Sequence, residues 1–150
     1  MEKTVATNRK ARRDYEIVYT LEAGISLLGS EVKSLRQGRA NINDSFARID
    51  EGEVYLYNCH ISPYKFSSDR GYDPIRKRKL LLHKNQIARL IGDVHRKGFT
   101  LIPLRIYFKD NKWAKVELAL ARGKKLYDKR EDLKKKAMER DIKQELKTHK

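Results

Sequence analysis

The chain has a single cysteine, Cys59, in 150 residues, which leaves no partner for an internal disulfide and fits a reducing compartment. It has no apolar run approaching the roughly 20 residues that a membrane-spanning helix needs. Its opening stretch, MEKTVATNRKARRDYEIVYTLEAGISLLGS, lacks the continuous apolar core of a signal peptide. Together these absences predict a soluble protein of the cytoplasm.

The patterns of common catalytic sites are missing too. His60, His83, His95 and His149 are scattered, and no HExxH or CxxC spacing joins a histidine to another ligand or to the lone cysteine. There is no GxxxxGK[ST] or GxGxxG phosphate loop and no GxSxG nucleophile elbow. Glu22, Glu31 and Asp44 are the kind of carboxylates that gather around Mg²⁺ in a nuclease, but residues this common fall together by chance. The sequence therefore predicts no catalytic residue, no metal and no cofactor: a binding protein rather than an enzyme.

Positive charge is what the chain has in excess. Thirty-five Lys and Arg stand against 20 Asp and Glu, a net charge of +15, more than solubility alone asks for. Such a field draws nucleic acid or an anionic membrane surface. The length suits one compact domain with tails.

Residues 1–13 are basic and poor in large apolar groups, and read as a flexible arm. From Tyr15 the pattern alternates, with Tyr15, Ile17, Tyr19 and Leu21 on one face of a strand and Glu16, Val18, Thr20 and Glu22 on the other. Ser30 offers an N-cap to SEVKSLRQG, a short helix with Gly38 at its end. DSFARIDE and EVYLYNCHI flank a Glu51-Gly52 turn, and TLIPLRIYF and KWAKVELALAR flank Asp110-Asn111, which gives two hairpins, the second with Pro103 at an edge or a bulge. SPYKFSSDRGYDP is a surface loop. KNQIARLIGDVHRKG sets Ile87, Leu90, Ile91 and Val94 on one helical face.

Short hairpin-connected strands with two or three helices predict a mainly β fold, an OB-like antiparallel barrel over residues 14–123, of the kind that binds oligonucleotides. Residues 124–150 carry many charges and only a thin apolar stripe, so they are expected to be disordered alone and helical when bound.

The densest motif is DPIRKRKLLLH, residues 73–83. Extended, it puts Arg76, Arg78, Leu80 and Leu82 on one side and Lys77, Lys79, Leu81 and His83 on the other. Leu80 and Leu82 would then anchor the segment while Leu81 and His83 face outward and the basic block faces a polyanion. The alternative makes all three leucines core and His83 a cap for the helix that follows.

NRKARRDY (8–15), LEAG (21–24), GSEVKSLR (29–36), DPIRKRKLLLH (73–83) and ARGKKLYDKR (121–130) occur in this order. With these motifs, over nearly its whole length, the chain resembles the SsrA-binding protein family. The resemblance implies an OB-type barrel that binds the tRNA-like domain of transfer-messenger RNA, standing in for the anticodon arm that this RNA lacks. It implies delivery of that RNA to stalled bacterial ribosomes for trans-translation, with the C-terminal tail helical near the decoding centre and in the empty mRNA channel.

By motif match, Glu22, Leu81 and His83 fall at positions the family uses for RNA, and Asn8, Arg76, Arg78 and Lys79 fall in its most characteristic basic motifs. Arg9, Arg12, Lys33, Arg36, Lys124 and Lys125 belong to the same motifs and complete the expected RNA surface. For the ribosome the expected residues are Asp128, Lys129 and Arg130, with Lys134, Lys135 and Ile142 beyond, and Tyr127, at a position the family does not fix, for stacking. Glu22 is the odd member, since a carboxylate repels phosphate. It is either an acceptor for base amino groups, a holder of an arginine, or a polar outward strand residue. The expected state is a monomer without membrane contact. The rival readings are a basic OB-like ribosomal protein and a translation-factor-like RNA binder; a peripheral membrane protein lacks the apolar face that inserts.

Overall fold

The computed structural model describes residues 1–66, 71–96 and 98–123. Its first element corrects the sequence reading: Glu2–Thr7, expected within a flexible arm, is strand β1, and Ala11–Asp14 makes one helical turn, α1. The charge crowded at residues 9–13 hid the short β-favouring pair Thr4-Val5, whose partner strand lies about 100 residues away at Arg105–Lys109.

Strand β2, Tyr15–Ile25, follows with the alternation that its sequence shows. Tyr19 and Leu21 pack on the main core, whereas Tyr15 and Ile17, on the far side of a register shift, pack on a smaller cluster with Ala11, Ile102 and Leu104. Helix α2, Gly29–Arg36, starts two residues earlier than Ser30 as cap allows: Leu28 is the N-cap residue, and its N–H donates to Glu31 Oε1 at 2.8 Å. Gly38, at φ +69°, ends the turn in the left-handed region.

Two short strands, β3 (Ala40–Asn41) and β6 (His60–Ile61), pair with each other. Between them β4 (Phe46–Asp50) and β5 (Glu53–Tyr57) form the expected hairpin, with Glu51 and Gly52 both at positive φ as a two-residue turn requires. Strand β7, Arg78–Leu81, lies between β5 and β2. Helix α3, Lys84–Val94, buries Ile87 and Leu90 and rests Ile91 and Val94 on the core. The second hairpin joins β8 (Phe99–Lys109) to β9 (Trp113–Gly123) through the three residues Asp110–Lys112, with Asp110 and Asn111 again at positive φ. Pro103 sits where the β8–β9 register shifts, at the bulge that a residue without N–H favours.

The antiparallel order β8-β4-β5-β7-β2-β9 closes because β9 pairs back on β8. The result is a barrel-like ring with three helices among the described residues, the mainly β architecture expected. One edge of β8 is shared: β4 meets it at Leu101 and β1 takes Arg105–Lys109. Leu56, Leu80, Leu101, Ile106, Val116 and Leu118 fill the interior and are almost wholly buried. Closure leaves few edges open to other chains and gives a rigid frame for the outer face.

Candidate nucleic-acid interface

Strand β7 splits its side chains between core and solvent as the sequence parity predicts. Arg78 and Leu80 point into the molecule with no exposed surface, and Leu82 packs on the core. On the other side Leu81 is 53% exposed, His83 is exposed, and Lys79 is half-buried, 3.6 Å from Glu53. His83 also occupies the N-cap position of α3, where its N–H donates to Gln86 Oε1 at 3.0 Å. Both roles weighed for it from sequence are compatible with that position, because the ring itself stays outside.

Arg78 is a correction. Expected to reach phosphate, it is sealed inside and spends its donors on the protein: Nε to Glu31 Oε2 at 2.7 Å, and its terminal nitrogens to Tyr72 Oη and to the carbonyls of Cys59, Pro74 and Arg76. Parity put Arg78 on the core side correctly, but the anion that makes burial of a cation tolerable, Glu31, is 47 residues away in sequence. Arg76 lies at the rim of the same cluster, its side chain 30% exposed, with NH2 at 2.5 Å from Glu31 Oε1. Burial pushes the Glu31 carboxyl up, but hydrogen bonds from Arg76, the Leu28 N–H and Arg78 outweigh it and hold the group below the usual carboxylate range. Burial, then the bond to Glu31, pushes the Tyr72 hydroxyl up to about 12.

Asn8 is the second correction. It is 8% exposed and ties β1 to the bulge of β8, donating from its backbone to Leu104 O at 2.8 Å and from Nδ2 to Pro103 O at 3.0 Å. A short polar side chain before the α1 turn satisfies buried backbone there, which is structural work that a basic motif does not advertise. Arg9 and Arg12, its neighbours, are exposed.

Glu22 stands on the outer face of β2. Tyr107 donates its hydroxyl to Glu22 Oε2 at 2.5 Å and Lys109 Nζ lies 3.3 Å from Oε1. The side chain remains 38% exposed. The hydrogen bond from Tyr107 is the main reason its pKa lies below the usual range, and Lys109 and Lys115 add to it. Two residues on, Gly24 pairs with Leu81 on β7 and with Lys115 on β9. A Cβ at Gly24 would stand 3.2 Å from Leu81 Cβ and 3.4 Å from its Cδ1, so the absent side chain is what lets Leu81 lie across β2.

Sequence reasoning missed Tyr107, Lys109, Lys115 and the 62% exposed Trp113. The signal was partial: RIYFKDNKWAK turns through a three-residue loop, Asp110–Lys112, which sets Tyr107 opposite Lys115 and Lys109 opposite Trp113, whereas a two-residue turn at Asp110-Asn111 alone shifts every pair by one. Arg36 joins this end of the barrel, donating to Asn111 Oδ1 and Asn111 O at 3.0 Å with its guanidinium 4.4 Å from the Phe108 ring centroid. Lys33 is placed apart, over Tyr64 at 5.4 Å. Lys124, Lys125, Tyr127, Asp128, Lys129, Arg130, Lys134, Lys135 and Ile142 lie outside the described residues.

The outer face thus combines an exposed leucine, a fixed carboxylate and several cations. Among the described residues no group of three or more His, Cys, Asp or Glu is placed to hold a metal ion, and no helix is long and apolar enough to cross a membrane. A family profile described as SmpB protein matches residues 5–148. The chain belongs to the SmpB family. Among SmpB relatives, the SsrA-binding protein of Sulfurihydrogenibium sp. (strain YO3AOP1) is 58% identical over 146 residues, 97% of this chain and 95% of that protein. That of Desulforudis audaxviator is 60% identical over 141 residues, covering 94% and 92%. A solved chain from "tmRNA-SmpB: a journey to the center of the bacterial ribosome" shares 58% identity, covers 79% of this chain and 82% of its own, and superposes with a TM-score of 0.66. The SmpB barrel is therefore the fold expected from sequence.

Proposed function

We propose that this chain binds the tRNA-like domain of transfer-messenger RNA and delivers it to stalled ribosomes for trans-translation in the bacterial cytoplasm. It acts as a monomeric binding module that catalyses nothing itself. The observation that carries the reading is the ledge of Leu81 lying over Gly24 beside Glu22, Lys109 and Lys115, in a chain of net charge +15 whose relatives are named SsrA-binding proteins. Folded RNA offers phosphates and unstacked bases, which proteins engage by cations, stacking and base-edge contacts rather than through the deep A-form groove. Leu81 and His83 supply contact surface, Lys79, Arg76, Arg9, Arg12, Lys33 and Arg36 supply charge, and Arg78 and Asn8 hold the frame behind them.

Within the basic motif 124–130, Lys124 and Lys125 belong with the RNA surface, whereas Tyr127, Asp128, Lys129, Arg130 and the residues beyond them serve a different partner, the decoding centre and mRNA channel of the small ribosomal subunit. A ribosomal protein or translation-factor-like binder would have a basic barrel too, but no reason for that motif.

Expression in a bacterium and recovery under mild conditions should enrich one RNA species, transfer-messenger RNA, over transfer RNA. Binding of the purified chain to the tRNA-like domain should weaken with added salt, with a log–log slope of about −0.7 to −0.9 per phosphate contact. Recovery of ribosomal RNA alone, or equal affinity for any folded RNA, rejects the proposal.

A further inference from the structure

Glu22 is an exposed carboxylate on the face of a strongly basic protein, held by a tyrosine and a lysine. An ionised carboxylate has about four acceptor positions on its two oxygens. Tyr107 occupies one on Oε2 and Lys109 one on Oε1, so each oxygen keeps a free acceptor. The exposed remainder is a pair of adjacent acceptors with no donor among them. Of the four RNA bases only guanine presents two adjacent donors, N1–H and N2–H, on its Watson–Crick edge; adenine, cytosine and uracil each place an acceptor beside their donor there.

The surroundings suit a splayed base rather than a phosphate. Leu81 gives an apolar surface across Gly24, in line with Glu22 along the strand, and Lys109 and Lys115 flank the carboxylate where a nucleotide's phosphates need cations. The carboxylate faced by Glu22 across the β2–β9 pair, Glu117, is neutralised by Arg105 at 2.6 Å. Arg105 also binds Glu2 and stacks 4.0 Å from the Tyr107 ring centroid, so β1 and β8 together brace the tyrosine.

We propose that Glu22 reads one unpaired guanine of the bound RNA, accepting its N1–H and N2–H donors, while Tyr107 and Lys109 act as positioning residues that fix the carboxylate toward that base. This rests on the RNA-binding reading above. Ionisation at Glu22 is favoured by Tyr107, Lys109 and Lys115, which keeps the acceptor pair available as the medium turns acidic.

The test uses the full chain and a tRNA-like-domain RNA in which each unpaired guanine is replaced in turn by inosine, which keeps N1–H and O6 but lacks the N2 amine. One replacement should weaken binding to the unaltered protein by about tenfold, the worth of one good base-edge pair, and should not weaken binding to Glu22→Ala further. Glu22→Gln, which exchanges one acceptor for a donor, should lose affinity for the guanine RNA while folding normally. Tyr107→Phe should weaken binding near neutrality, though less than Glu22→Ala does, and should lose the remaining affinity at a higher pH than the unaltered protein on acidification, a profile that loss of packing alone does not give. If no inosine RNA distinguishes the unaltered protein from Glu22→Ala while both still bind the parent RNA, base reading is overturned and RNA binding stands. If the unaltered chain fails to bind the parent RNA, both fall.

Discussion

Arg78 donates from Nε to Glu31 Oε2 at 2.7 Å, and neither side chain has any surface in contact with solvent. The pair joins β7 to α2, and with Tyr72 and Arg76 it also pins the segment that leads into β7. Removing Glu31 leaves the buried Arg78 without a counter-charge, so Glu31→Gln should cost about 3–5 kcal/mol of folding stability, whereas Arg78→Met, which leaves Glu31 paired with Arg76, should cost less. Replacing both with apolar residues should cost less than the sum. Urea titrations of the two single variants and the double variant check this.

The same cluster gives stability a sign with pH. The folded-state pKa of Glu31 is lowered, so its contribution is fully present above the ordinary carboxylate pKa of the unfolded chain and is lost as pH falls through the lower, folded value. Acid titration followed by circular dichroism should show that slope, and it should shrink in Glu31→Gln measured against its own neutral baseline.

Leu80 and Leu81 are adjacent and should behave as opposites. Leu80 has no exposed surface and fills the barrel, so Leu80→Ala should cost about 2–5 kcal/mol. Leu81→Ala should barely move the melting temperature but weaken RNA binding. Gly24→Ala is the gentler variant: the new Cβ, 3.2 Å from Leu81 Cβ, makes Leu81 give way by a few tenths of an ångström without altering any charge. Expected is a folded protein with RNA affinity lowered, but by less than in Leu81→Ala; affinity of Leu81→Ala equal to that of the unaltered chain would show that Leu81 is not a contact.

Cys59 has no exposed surface, and burial pushes its thiol up to about 11. Only the thiolate reacts with disulfide reagents. Ellman's reagent at neutral pH should therefore leave the folded protein unmodified and should react once urea unfolds it, with no loss of RNA binding on storage in air.

Most of this architecture could be read from period and turn chemistry. The β4–β5 and β8–β9 hairpins announce themselves by Glu51-Gly52 and Asp110-Asn111, and the inside-outside parity of β7 follows from period two alone. Parity says which side a residue faces but not what waits there. Period two places Arg78 inward but leaves its charge free for phosphate, because Glu31 reaches it only through the folded chain. β1 was missed for the same reason, its worth lying in Arg105, which binds Glu2 and Thr4 from the opposite end of the sequence. Glu22 was singled out from its motif, whereas Tyr107 and Lys109, which give its carboxylate a fixed direction, needed the hairpin register to be found.

Body and tail can be separated by experiment. Every strand of the ring lies within residues 1–123, and β9 ends with Gly123 paired to Tyr15, so a chain ending after Lys125 retains all that closes the barrel. It should keep its melting temperature and its affinity for the tRNA-like domain, since the Glu22–Leu81 face is intact. It should fail in a reconstituted peptide-tagging assay, because the contacts proposed for the ribosome reside in Asp128, Lys129, Arg130 and the residues after them. Reversing the charge of Lys129 and Arg130 in the full chain turns charge-assisted bonds to ribosomal RNA into repulsion, whereas Leu146→Ala removes only a few apolar contacts. Tagging should therefore fall further in the first variant than in the second, with free-RNA binding unchanged in both. If truncation lowers RNA affinity and tagging together, residues 126–150 form part of the RNA site and the division into two partners is wrong.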